Sequence, residues 1–150
     1  MDFLLISGPQ ASGKTSLIRR MHTHFISQGY NIIHRYFYHN NDFRCVLEKN
    51  GRKVLMQSDT DLPGCILNLK NYYASYPDVD VIITACRNDP DPMRNRLFGD
   101  LHITALGNIH FEVPLGRMPR GALRTQSVAW YEAQVDKIAI MAASAAPFNI

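Results

Sequence analysis

The sequence predicts an α/β protein built on a mostly parallel central sheet, and three observations carry that prediction. Phe3-Leu-Leu-Ile6 and Val81-Ile-Ile83 are uninterrupted apolar runs, the pattern of strands covered on both faces. After the first run, a glycine-bearing turn leads into Lys14 to Gln28, where Leu17, Ile18, Met21 and Phe25 recur at helical spacing. Gly29 stops that helix and Tyr30 to Tyr38 reads as a second strand. Strand, turn, helix and strand in this order open a parallel α/β sheet.

The remaining elements follow along the chain. Cys45-Val46-Leu47 and Val54-Leu55-Met56 flank Asn50-Gly51, a strong turn dipeptide. A β-hairpin is therefore expected over residues 43–58, as an insertion into the parallel sheet. A helix capped by Thr60 or Asp61 comes next, with Leu62, Ile66, Leu69 and Tyr73 inward and Pro77 as its stop. Val79 to Ala85 reads as a central strand. Beyond the proline-broken loop 88–92, a short helix over Met93 to Phe98 and a last strand over Ile109 to Val113 are expected. The chain closes with a long helix from Thr125 to about Ala145, carrying Val128, Tyr131, Val135, Ile138 and Ala142 on one stripe.

At 150 residues the chain is expected to form one domain with one core. Sixteen basic and thirteen acidic residues give a net charge of +3, which suits phosphorylated ligands but is too mild for a dedicated nucleic-acid binder. Cys45, Cys65 and Cys86 are widely spaced and odd in number, the pattern of reduced thiols rather than of a zinc site. The opening MDFLLISG lacks the basic and long apolar regions of a secretory signal. A cytoplasmic protein with no membrane partner is the expectation.

Residues 8–15 read Gly8-Pro9-Gln10-Ala11-Ser12-Gly13-Lys14-Thr15, a full match to G-x-x-x-x-G-K-[ST], with Ser16 following. The chemistry needs these residue types. Triphosphate oxygens are wrapped by backbone N–H groups at close range, on a path that glycine permits. The helix that follows points its unpaired N–H groups and partial positive charge at the same oxygens. Lys14 supplies a mobile point charge, and the Thr15 hydroxyl is a hard oxygen ligand suited to Mg²⁺.

The string ISGPQASGKT resembles the Walker A loop of the P-loop NTPase superfamily. More widely, the chain is similar to the small ATP-binding, kinase-like P-loop proteins of bacteria and phages. That wider likeness rests on KVLMQSDTD and DVIITACR, and it covers roughly residues 1–100. The resemblance implies a three-layer P-loop fold with the loop after the first strand, and ATP and Mg²⁺ as ligands. It leaves the reaction open, since kinases, ATPases and switches share the loop.

Further candidates surround the loop. Asp59, with Asp61 behind it, is the expected second carboxylate for the metal, because both follow the strand Val54 to Met56. Helix capping by Asp61 and a solvated Asp59 is the competing reading. Asp80 is disfavoured, as it begins its strand and ligands gather at carboxyl ends. Arg87 ends the VDVIITA strand and suits the transferred phosphate, or else pairs with Asp89 or Asp91. Arg117, Arg120 and Arg124 form either a charge-neutralising lid or a solvated face. His34-Arg35-Tyr36-Phe37-Tyr38-His39 grips a base or phosphate, or is a strand with alternate aromatics in the core.

Two functions compete on this reading. One is phosphoryl transfer from ATP to a small acceptor, a nucleotide or related metabolite, with Lys14, Asp59 and Arg87 as catalytic residues. The other is a nucleotide-dependent switch or slow ATPase acting through a protein partner. No N-K-x-D string reads guanine, and no basic face supports a nucleic-acid role.

Overall fold

The computed structural model describes residues 1–38, 42–117 and 124–150, the side chain of Arg124 excepted. His39 and Arg120 lie outside the described residues. β1 (Asp2–Ser7) leads into α1 (Lys14–Ser27), then β2 (Asn31–Phe37), β3 (Phe43–Lys49) and β4 (Arg52–Gln57). α2 (Pro63–Ala74), β5 (Val81–Cys86), α3 (Pro92–Asp100), β6 (Ile109–Pro114) and α4 (Arg124–Ser144) complete the chain.

The six strands form one mixed sheet in the order β2-β3-β4-β5-β1-β6. β1 pairs in parallel with β5 on one side and β6 on the other, and β4 pairs in parallel with β5. The two remaining contacts, β2 with β3 and β3 with β4, are antiparallel. The sheet is therefore mostly parallel, as expected.

β1 shows why an uninterrupted apolar run was needed. Leu4 and Ile6 point into a core shared with Leu17, Ile18, Met21 and Phe25 of α1 and Val135, Ala139 and Ala143 of α4. Phe3 and Leu5 point the opposite way, into a second core with Ile66 and Leu69 of α2 and Leu97 of α3. All four β1 side chains are within 1% of complete burial. Each then contributes roughly 1.5–3 kcal/mol of transfer free energy. Among the described residues no helix is long and apolar enough to cross a membrane.

Several expectations need correction. The hairpin forms around Asn50 and Gly51, both with positive φ, but it is not an insertion. Its second arm, β4, is a member of the parallel group, with Val54, Leu55 and Met56 fully buried. The strand β2 does not sit beside β1. It lies at the far edge of the sheet with all seven residues exposed, so its aromatics are not in the core.

The start of α2 also differs. Leu62 occupies the cap position without a side-chain bond, because Thr60 and Asp61 are engaged elsewhere. Pro63 takes the first helical position, where its missing N–H costs nothing. The helix inserts Tyr72, with Tyr73 only packed against the core margin. On α4 the buried stripe passes through Ala139, and Ile138 is 46% exposed. Each is a one-residue rotation of a correctly placed helix.

Candidate functional site

The parallel strands β1, β4 and β5 all end at one edge of the sheet, with Ser7 level with Cys86 and Gln57 level with Thr84. The loops leaving those ends enclose a cavity of about 670 Å³. Gln10 to Ser16 form one wall, and Asp42, Ser58, Asp59, Asp61, Cys65 and Arg87 contribute to the others. The sequence candidates Gln10, Ala11, Ser12, Gly13, Lys14, Thr15, Ser16, Asp59 and Arg87 are thus brought together. Gly8 and Pro9 sit behind that wall and present carbonyls to it.

The backbone of the loop explains its glycines. Gly13 takes φ 92°, a left-handed conformation, and directly precedes α1 as its N-cap. Among the described residues no side chain caps α1, and no acid occupies its first turn, so its leading N–H groups face the cavity uncompensated. At Gly8 the constraint is close approach. A Cβ there would stand 2.7 Å from Ser12 Oγ and 2.8 Å from the Leu115 carbonyl oxygen. Leu115 N–H donates to the Ser7 carbonyl (2.7 Å), locking β6 against the start of the loop.

Lys14 is 6% exposed, and its ammonium donates to the carbonyls of Gly8 (3.0 Å) and Pro9 (2.9 Å). Burial lowers its pKa, and the nearby Asp61 carboxylate works against that shift. Ser12 is 8% exposed, and its hydroxyl has no hydrogen-bond partner among the described residues.

The carboxylate that meets Thr15 is Asp42. Thr15 Oγ1 donates to Asp42 Oδ1 (3.0 Å), and Ser58 Oγ donates to the same oxygen (2.9 Å). Burial raises the Asp42 pKa, while the Ser58 and Thr15 hydroxyls partly offset that by favouring the anion. Asp59 instead accepts from the Tyr38 hydroxyl. The Tyr38 phenol is driven up by burial and by that bond, and burial with the Asp59 contact pushes the Cys65 thiol up to about 12.

Arg87 Nε lies 2.8 Å from Asp61 Oδ1, so its partner is neither Asp89 nor Asp91. The turn carrying these acids is held from below. Gln57 Nε2 donates to the carbonyls of Asp59 and Cys65, and Thr60 Oγ1 donates to Ala85 O (2.6 Å). Arg117 does not overhang the cavity. Its Nε donates to the Gln10 carbonyl (2.8 Å), bracing the loop from outside.

Asp42 is the residue that sequence reasoning missed, though a signal existed. The hairpin pairs Arg44 with Gln57, and Phe43 and Ser58 extend the ladder by two further bonds. Counting back from Asn50-Gly51 along that register places Asp42 opposite Asp59. Both acids thus arrive at the mouth of one hairpin.

The donor set fits Mg²⁺ and a polyphosphate. Lys14, whose ammonium bonds loop carbonyls, and Thr15, whose hydroxyl meets the Asp42 carboxylate, line one space with the leading N–H groups of α1. No protein-family profile matches the chain, and neither curated proteins nor solved structures show a match to it.

Proposed function

We propose that the protein binds Mg-ATP in this cavity and transfers the terminal phosphoryl group to a small hydroxyl-bearing acceptor. The observation that supports it best is the convergence of Lys14, Thr15 and the uncapped α1 N-terminus on a cavity that also holds acids and Arg87. The finer assignment of a three-layer P-loop architecture belongs to the same reading, since helices pack on both faces of the sheet.

In this mechanism the loop amides of Gln10 to Ser16 and the Lys14 ammonium hold the β- and γ-phosphates, while Gly8 N–H stays bonded to the Cys86 carbonyl and Pro9 has none to offer. Lys14 exchanges its two loop carbonyls for phosphate oxygens. Thr15 would ligate Mg²⁺ directly and Asp42, bonded to Thr15, would hold its waters; the ion would supply neutralisation of developing charge. Asp59, fixed by Tyr38, accepts the acceptor's hydroxyl proton as its oxygen bonds to the γ-phosphorus. The bond to the bridging oxygen breaks and its electron pair leaves with ADP. Arg87, aimed by Asp61, faces the transferred group.

The cavity extends past Thr15 to Asp61, Leu62 and Cys65, which provides room for an acceptor beyond the phosphates and favours transfer over a switch. The test uses γ-labelled ATP with pooled nucleosides, nucleotides, short DNA ends and amino alcohols. Label recovered on an acceptor supports the reading; slow release to water alone rejects transfer in favour of the switch. Lys14→Ala is expected to lower Mg-ATP affinity at least 100-fold with an unchanged circular dichroism spectrum. Arg87→Ala is expected to keep nucleotide affinity within about threefold while losing turnover by 100-fold or more.

A further inference from the structure

Asp59 marks the inner end of an aromatic surface that leads away from the cavity. Tyr38, whose hydroxyl bonds Asp59, stacks against Tyr36 with ring centroids 6.0 Å apart and planes at 23°. Arg44 stands opposite Tyr36 in the β2–β3 register. Its guanidinium carbon lies 5.3 Å from the Tyr36 ring, 6.0 Å from Tyr38 and 5.1 Å from Tyr72. Tyr72, a buried residue of α2, backs Arg44 from the core side, its hydroxyl 2.6 Å from His34 Nδ1.

Two features of this shelf point to a ligand. The ion pairs among the described residues do not include Arg44, and its buried Nε has no hydrogen-bond partner there. Ring faces compensate a guanidinium only in part, so it retains capacity for an anion. Tyr36, meanwhile, leaves 52% of its surface exposed at the sheet edge. A half-exposed ring beside an arginine with no ion-pair partner among the described residues suits a planar base with a phosphate next to it.

The cavity sets the orientation. Asp42, Asp59 and Asp61 outnumber Lys14 and Arg87 there, and Arg87 is already paired with Asp61. With Mg-ATP seated among these groups the space is more negative still, so an acceptor's own phosphate is repelled from it, whereas a neutral hydroxyl is not. Arg44, outside the rim, is where such a phosphate is attracted.

We propose that the acceptor is a nucleotide unit, with its base on Tyr36, its phosphate against Arg44 and a free hydroxyl directed to Asp59. This rests on the phosphotransferase reading and narrows it. The shared chemistry has two sources, a free nucleoside 3′-phosphate or the 5′-hydroxyl end of a single strand. The modest net charge gave no hint of it, because the shelf uses one arginine and stacked rings rather than a basic face.

The test measures fluorescence anisotropy of a 5′-hydroxyl thymidine hexamer labelled at its 3′ end, with thymidine 3′-monophosphate as competitor. Binding of a fluorescent ATP analogue with Mg²⁺ is followed in parallel. The wild type is expected to bind the hexamer. Tyr36→Ala and Arg44→Met are each expected to weaken that binding about tenfold or more. Tyr36→Trp is expected to retain it, and nucleotide affinity is expected to stay within twofold in all three variants. Competition by the monophosphate identifies the free nucleotide as source; competition by unlabelled hexamer alone identifies the strand end. Normal Mg-ATP binding with no binding of hexamer or monophosphate overturns this proposal and spares the phosphotransferase reading. Unchanged hexamer binding by Tyr36→Ala also overturns it. Hexamer binding without Mg-ATP binding removes the phosphotransferase reading, and the acceptor role with it.

Discussion

Asp42 carries opposed demands on stability and binding. Burial raises its pKa above the ordinary value of 3.8, so the folded protein holds that proton to higher pH than the unfolded chain does. The sign follows from linkage. Where the folded state binds more protons, stability falls as pH rises, so ionising Asp42 destabilises the fold as pH passes from 3.8 through the raised value. An asparagine keeps an oxygen to accept from Thr15 and Ser58 but carries no buried charge. Asp42→Asn is therefore expected to melt at higher temperature than wild type at pH 7, with the gap closing toward pH 3.8. The same variant is expected to bind Mg-ATP at least tenfold more weakly, since one carboxylate facing the metal's waters is gone. Melting curves across pH together with a nucleotide titration check both halves; an equal or lower melting temperature at pH 7 contradicts the stability argument. Sites of this kind are where activity is maintained at the expense of the fold.

At the scale of elements, the turn between β4 and α2 governs the acids of the cavity. It is fastened to β5 by the Thr60 hydroxyl, 2% exposed, bonded to the Ala85 carbonyl. Thr60→Val keeps the shape and leaves that carbonyl unpaired in a buried place, at a cost of roughly 1–3 kcal/mol. Denaturant unfolding reads the cost, and turnover is expected to fall with it because Asp59 and Asp61 lose their anchor; wild-type stability contradicts the assignment. This turn also shows why part of the site was legible and part was not. The loop Gly8 to Thr15 is a local pattern, set by eight consecutive residues, and it is readable without knowing the fold. The placement of Asp59 and Arg87 at the cavity was readable because each follows an apolar strand, and ligand sites of open α/β sheets gather at the carboxyl ends of strands. Asp42 precedes its strand, so only the hairpin register brings it to the same edge. The helix-cap reading of Thr60 and Asp61 failed for a related reason: Ala85 O of β5 and Arg87, just past its end, are tertiary partners stronger than a local cap.

For the whole molecule, the strand order arranges stability so that the cavity has one rigid wall and one adaptable wall. β1 and β5 are paired on both sides and buried on both faces, while β2 is paired on one side only and exposed along its whole length. The edge position of β2 also explains a misreading of its sequence. Aromatics in a strand suggested a core, yet Ile32, Ile33, Tyr36 and Phe37 are each at least 40% exposed, because at this edge the described helices do not pack across the faces of the strand. Local opening free energies follow burial and pairing, so native-state hydrogen exchange is expected to rank the elements. Amides of Phe3 to Ile6 and Ile82 to Ala85 should exchange only by global unfolding, whereas those of β2 should exchange by local fraying, orders of magnitude sooner. On the proposed reading Mg-ATP is expected to slow exchange at Gln10 to Ser16 and to leave β2 unchanged, because a nucleotide in the cavity would contact the rigid wall and not the far edge. A nucleotide unit added as acceptor should then slow β2 as well. Uniform exchange across β1 and β2 would contradict this division, which follows from placing the loop after the most enclosed strand and the aromatic shelf on the least enclosed one.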